Sequence, residues 1–314
     1  MRVLVKVPAT SANLGPGFDA LGLALDLWNE TEFTPAESFS LNIEGEGAKR
    51  LAANEKNLIV RSGRKLYECV NKRMPPLSLR CINRIPLASG LGSSAAAILT
   101  GLLGANALLG SPVSHEEILN LAVEIEGHPD NVAPALLGGL VVSTREEGKV
   151  IVHKLTLGEG PGSTGEHNAG PPFHITIALP EFSLPTRQAR AVLPHQVPIK
   201  DAVQNISRAV MLTEAFRTGD LDLLGQAMTD ALHQPYRLPL IPGAREAMAA
   251  AKQAGAAAAA LSGAGPSLIA FSAFHSAGIG EAMKQVFESS GLRTRIFELN
   301  ATRQGAQTDI DKSP

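Results

Sequence analysis

Alternating side chains open the chain: Val3, Val5 and Val7 are set against Arg2, Leu4 and Lys6, which predicts a β-strand. Strand-like alternation recurs over residues 23–27, 39–43 and 77–82. It is broken by one helical stretch, 57–72, in which Leu58, Ile59, Leu66 and Val70 return at helical intervals. Two more helices follow. The first opens at a glycine-rich segment and runs to Leu109; the second starts at Ser114, where Ser-His-Glu-Glu spells a capping box with Glu117 as the returning acid. A β region over 139–155 closes this half.

The apolar pattern then fails. Residues 158–172 contain five glycines and almost no apolar side chain, too little burial to offset the entropy of ordering, so a loop and a domain boundary are expected there. Beyond it the pattern predicts a strand at 173–179, helices at 186–192, 199–217, 221–232 and 244–254, then strand, strand, helix and strand to Leu299. The alanine run 256–260 is read as a buried strand because it leads into a glycine turn. The order predicts an α+β sandwich: an N-terminal unit at 1–157, a C-terminal unit at 173–300 and a disordered tail at 301–314.

Composition narrows the function. With 314 residues, 44% hydrophobic, the chain can bury two medium cores. A formal charge of -2 supplies no basic field for a nucleic acid. The longest apolar run, 256–261, is far short of a membrane span, and the opening strand does not resemble a signal peptide, so a cytoplasmic location is expected. Cys69 and Cys81 sit in no ligand spacing and are read as reduced core residues. The histidines are scattered, the closest pair being His167 and His174, so no structural metal is expected.

The most informative segment is PLASGLGSSAAA, residues 86–97, running straight into Ile98, Leu99, Leu102 and Leu103 at helical spacing. Gly90 and Gly92 allow a tight turn, so that N–H groups and the positive end of a helix dipole can converge on a phosphate. Residues 85–144 contain no Lys or Arg. The GxxxxGK[ST] pattern is therefore absent, and phosphate charge must be met by backbone dipoles, Mg²⁺ and bases from elsewhere. For a lone GxG, close packing of a helix on a sheet would be the better explanation. Gly90, Gly92 and Ala95 also fit a dinucleotide-binding pattern, but the acid that fold needs about 20 residues on is missing, that position falling at 109–112. A phosphate-binding loop at a helix start is the functional reading these residues support, with close packing still open beside it.

That loop occurs with three other segments: PATSANLGPGFD at 8–19, EIEGHPDNVAPALLGG at 124–139 and SGAGPS at 262–267. Together they resemble the GHMP kinases, and within them the homoserine kinases, over essentially the whole chain. The resemblance implies an N-terminal ribosomal-protein-S5-domain-2-like unit and a C-terminal ferredoxin-like unit. It implies ATP as co-substrate, Mg²⁺, and phosphorylation of L-homoserine on the way to threonine. Members are commonly homodimers, a point on which the residues are silent. Another GHMP kinase acting on shikimate, mevalonate or a sugar, or a catalytically silent ligand-binding relative, are the alternatives.

Roles follow by matching positions. Pro86, Leu87, Ala88, Ser89, Gly90, Leu91, Gly92, Ser93, Ser94, Ala95 and Ala96 are assigned to ATP, with Asn57, which also suits a helix cap. Asn13 and Asp19 resemble the residues for the amino end and the reacting hydroxyl, Arg190 and Arg237 the carboxylate clamps, with Thr186 and His128 as secondary contacts. Asn131 is expected to orient the substrate and Asp130 to be structural, with no strong base acting. For Mg²⁺, Ser94 and Glu124 are chosen, Glu126 being the close competitor. Gly263 and Gly265 are given a supporting role.

Overall fold

A computed structural model describes residues 1–158 and 173–311. Most of the predicted loop at 158–172, including His167, lies outside the described residues.

The first sheet is built from β1 (Arg2–Ala12), β2 (Leu21–Pro35), β3 (Ser40–Gly45), β4 (Leu77–Asn83), β5 (Leu140–Glu146), β6 (Lys149–Leu155) and β11 (Gln307–Asp311). Its order is β11-β1-β2-β4-β3, with β5 and β6 joined to the other end of β2. Only β3 and β4 pair in parallel. Val3, Val5 and Val7 are fully buried, as the alternation requires. β1 continues past Pro8 because the register with β2 shifts between Pro8 and Ala9, and a bulge is where a residue without an N–H fits a ladder.

Four helices cover this sheet: α1 (Leu58–Cys69), α2 (Ser93–Leu108), α3 (His115–Glu126) and α4 (Pro129–Leu137). α2 is buried nearly all round and packs against α1 and β1, the central position that its apolar sequence suits. The capping box at α3 is closed by both of its hydrogen bonds, Ser114 to the Glu117 N–H and Glu117 back to Ser114. α4 was not among the predicted helices. Pro129 sits in the first turn, where no N–H is needed, and Pro134 is tolerated inside a helix whose residues 129–136 are buried.

The second sheet, ordered β10-β7-β9-β8, joins β7 (His174–Pro180), β8 (Ala258–Leu261), β9 (Leu268–Ser272) and β10 (Thr294–Leu299). The alanine run thus enters a fully buried strand rather than a helix. α9 (Ala244–Gln253) packs on β8 and β9 and α10 (Ala277–Ser289) on β7 and β10; α5 (Thr186–Ala191), α6 (Ile199–Thr218), α7 (Leu221–Ala227) and α8 (Gln234–Arg237) precede α9 in the chain, α6 packing on α7 and α7 on β8. The layers and their order are those of an α+β fold.

Three expectations are corrected. The helix predicted over 221–232 stops at Ala227, because the Asp230 carboxylate accepts the N–H groups of Leu232, His233 and Gln234 and starts α8 afresh. The tail is ordered through Asp311: β11 adds to the edge of β1, pairing Arg2 with Asp311 and Lys6 with Gln307, a long-range ladder that local composition does not announce. Cys69, at the end of α1, is exposed, and only Cys81 is a core residue.

Candidate active site

Three of the quoted segments meet because their backbones are stitched together. The Thr10 N–H donates to Leu91 O at 3.1 Å, the Gly263 N–H to Ala12 O at 3.0 Å and the Ser267 N–H to Ser89 O at 3.3 Å. The Ser262 hydroxyl donates to Gly90 O at 2.7 Å and stands 2.9 Å from the Ser11 hydroxyl. Gly90 and Gly92 hold φ of 81° and 70°. A Cβ on Gly90 would lie 2.2 Å from Ser262 O, and one on Gly92 would lie 2.0 Å from Thr10 Oγ1, so only glycine fits this crossing.

Above the crossing runs a cleft of about 470 Å³. One end is largely apolar, lined by Ile43, Leu51, Leu58, Cys81 and Leu87; the other is polar, lined by Glu126, His128, Asp130, Asn131, Thr186, Arg190 and Arg237. Between them lie Gly90, Gly92, Ser93 and Ser94 at the N-terminus of α2, whose first amides have no intrahelical acceptors. Of the residues assigned to ATP, Leu87, Ala88, Ser89, Gly90, Gly92, Ser93, Ser94 and Asn57 line this cleft. Pro86, Leu91, Ala95 and Ala96 do not: Leu91, Ala95 and Ala96 are fully buried, and Pro86 borders a neighbouring groove. Asn57 also caps α1 through the Ile59 N–H. The cations reaching the cleft come from outside 85–144, namely Lys56, Arg190 and Arg237.

Glu124 is not at this site. Two residues apart on α3, Glu124 and Glu126 point about 200° apart around the helix. Glu124 is exposed, pairs with Lys65 at 3.4 Å and faces a groove beside Glu117, Asn120 and Arg145. Glu126 accepts the Ser94 hydroxyl at 2.5 Å in the cleft. Burial pushes its carboxyl above the usual range despite that hydrogen bond. A desolvated carboxylate and a hydroxyl at the mouth of a phosphate cradle suit Mg²⁺. Among the described residues no cluster of three or more His, Cys, Asp or Glu is placed to hold an ion, so any ion here would draw its other ligands from phosphate and water.

Next to Glu126, His128 Nδ1 lies 2.6 Å from Asp130 Oδ1. Burial alone would lower the His128 pKa, but the Asp130 carboxylate outweighs it and the net shift is upward. Asp130, itself buried, lines the cleft and also accepts the Asn131 side-chain amide at 3.4 Å. The Asn131 carbonyl takes a hydrogen bond from the Thr10 hydroxyl at 2.8 Å, in keeping with an amide nitrogen that faces the acceptor-only Asp130 carboxylate. Thr10, inside PATSANLG, was missed by sequence reasoning, as were Lys56 and the apolar end of the cleft.

At the polar end Arg190 grips Asp19 with two hydrogen bonds, 2.7 and 2.9 Å, which raise the arginine's pKa. Asp19 lies beside the cleft rather than in its lining. The Asn13 carboxamide is engaged at both ends, donating to Gly263 O at 2.7 Å and accepting the Asp19 N–H at 3.0 Å. Asn13 and Asp19 both hold positive φ, 69° and 54°, strain retained where the turn must aim them. Arg237 is 1% exposed. Burial, and then the charge of Arg190, pull its pKa down to about 10, so it remains a cation at neutral pH. Thr186 opens α5, three residues from Ala189 O, which accepts the Arg237 Nε–H at 3.1 Å. Gly263 and Gly265 line the cleft from the turn between β8 and β9.

The cleft can therefore hold a polyphosphate at a helix N-terminus and a small molecule bearing both charges beside it. Residues 57–139 match the GHMP kinases N-terminal domain and residues 212–289 the GHMP kinases C-terminal domain. The homoserine kinase of Moorella thermoacetica is 47% identical over 304 residues, covering 96% of this chain and 98% of that protein. That of Carboxydothermus hydrogenoformans is 43% identical, covering 97% and 96%. The crystal structure of homoserine kinase from Cytophaga hutchinsonii superposes with a TM-score of 0.83 at 31% identity, covering 98% and 97%. An L. major mevalonate kinase, at 14% identity and a TM-score of 0.67, shares the fold. With such identity over nearly the full length of both chains, the protein belongs to the GHMP kinases and, within them, to the homoserine kinases.

Proposed function

We propose that this protein transfers the γ-phosphoryl group of ATP to the side-chain hydroxyl of L-homoserine, giving O-phospho-L-homoserine and ADP on the route to threonine. The observation that carries the reading is a single cleft that pairs a phosphate cradle with Arg237 and Arg190, the latter holding Asp19 beside it.

The apolar end takes the adenine, with Asn57 and Lys56 at its edge, and the amides opening α2 take the phosphates. Arg190 and Arg237 hold the amino acid's carboxylate, and Asp19 its ammonium. Arg190 and Asp19 pair with each other at 2.7 Å; an amino acid carries a carboxylate that suits the one and an ammonium that suits the other. An uncharged sugar offers neither, which favours homoserine over a sugar alcohol. Asn131, held by Thr10, orients the hydroxyl, and Asp130 fixes His128 and Asn131.

Ser94 and Glu126 would hold Mg²⁺, which when bound offsets charge on the phosphate oxygens. The hydroxyl oxygen forms a bond to the γ-phosphorus as the bond to the β–γ bridging oxygen breaks, and the hydroxyl proton passes to phosphate oxygen. Catalysis then rests on positioning and charge compensation, with no strong base required.

The direct test is ATP consumption with homoserine, threonine, shikimate and mevalonate in parallel, with the product identified. Phosphohomoserine is expected as the main product; a preference for shikimate or mevalonate would overturn the reading. Arg237→Ala is expected to weaken kcat/KM for homoserine by about 1.5–3 kcal/mol, the range for a hydrogen bond to a charged group, with little change in KM for ATP. Equal losses for both substrates would contradict the clamp.

A further inference from the structure

His233 is fully buried between the loop that carries Asp19 and the guanidinium of Arg237, and nothing above gives it a task. Its Nε2 lies 2.8 Å from Gly15 O and its Nδ1 lies 3.3 Å from Arg237 Nη1. A carbonyl can only accept and a guanidinium can only donate, so Nε2 carries the hydrogen and Nδ1 is bare. The imidazole is neutral, in keeping with burial, which draws its pKa below the ordinary value. Its ring stacks on Phe18 with centroids 5.1 Å apart and planes 20° from parallel. The same Phe18 ring receives Arg237 at 5.0 Å and Arg190 at 5.9 Å. Phe18 is the residue before Asp19, and Gly15 lies three residues before Phe18. One imidazole therefore touches the segment aiming the acid and the side chain supplying the second cation.

The backbone beneath is equally determined. Asp230 accepts the His233 N–H at 3.0 Å and the Gln234 N–H at 2.6 Å, fixing the first turn of α8 from which Arg237 projects. Arg237 spends its Nε–H on Ala189 O and one Nη1 hydrogen on His233, which aims the rest of the fork at the cleft.

We infer that His233 is a specificity-determining positioning residue: its bare Nδ1 orients Arg237 for a carboxylate, and its Nε2–H ties that orientation to the Asp19 loop. The ring thus sets the spacing between the carboxylate and ammonium subsites. This inference rests on the homoserine reading, and its test separates the two. Homoserine and 3-amino-1-propanol, the same molecule without its carboxylate, are compared as phosphoryl acceptors in wild type, His233→Phe, His233→Asn and His233→Gln. Phenylalanine keeps the stack on Phe18 and removes both ring nitrogens; asparagine places its carbonyl near Nδ1, and glutamine its amide near Nε2.

Wild type is expected to prefer homoserine strongly in kcat/KM. His233→Phe is expected to cut that preference about tenfold by weakening homoserine alone, through KM rather than kcat, with KM for ATP unchanged. His233→Asn is expected to restore most of the preference, and His233→Gln little of it. Equal losses for both acceptors, an undiminished preference in His233→Phe, or glutamine outperforming asparagine would each overturn the inference. If His233→Phe fails to fold, the asparagine-glutamine ranking decides. A wild-type protein with no preference for homoserine over the amino alcohol would instead bring down the underlying reading.

Discussion

Replacing Glu126 with Gln is expected to lower kcat by about two to three orders of magnitude, roughly 3–4 kcal/mol of transition-state stabilisation, and to raise the Mg²⁺ concentration needed for half-maximal rate. The physical reason is that a carboxyl buried against the Ser94 hydroxyl gains most from a cation, whereas the amide has no charge to offer it. Glu124→Gln is the matched control: exposed and paired with Lys65, it should stay within about twofold of wild type. A Mg²⁺ titration of both variants at saturating ATP and homoserine decides. An unchanged Mg²⁺ requirement in Glu126→Gln would remove Glu126 from the metal site.

Gly92→Ala is expected to destabilise the protein by about 2–5 kcal/mol and to raise KM for ATP. Positive φ costs a non-glycine residue about 1–2 kcal/mol, and forcing a methyl into filled space about 1–3 kcal/mol more. Here the methyl would meet Thr10 Oγ1 at 2.0 Å and Asn131 Oδ1 at 3.2 Å, the pair whose hydrogen bond holds the Asn131 amide. Thr10 is buried in a strand and cannot swing aside. Gly110→Ala separates the two contributions: its φ is 83°, but no atom lies within 4 Å of the added carbon, so only the conformational cost of about 1–2 kcal/mol applies. Denaturant midpoints of the two variants should differ accordingly, and a Gly92→Ala protein no less stable than Gly110→Ala would show that the crossing at Gly92 can relax.

The features legible in the sequence are those written locally. The period-two alternation of Val3, Val5 and Val7, the capping box at Ser114 and the glycines leading into α2 each state a conformation within a few residues. The buried alanine strand was legible too, because the glycine turn after it denies the run a helical exit. α4 was not legible, because a helix carrying two prolines runs against local propensity and is held together by its burial.

The sequence by itself determined the kinds of residue at the site: a phosphate loop without lysine, two arginines, an aspartate and a nearby pair of glutamates. Only the tertiary structure decided which of them meet. Glu124 and Glu126 are equivalent in composition and nearly so in position, and the choice between them is made by the direction in which α3 faces α2. Thr10, His233 and the returning strand β11 owe their places to partners 121, 218 and about 300 residues away. Contacts of that range depend on how helices and sheets pack, and no local pattern of side chains encodes them.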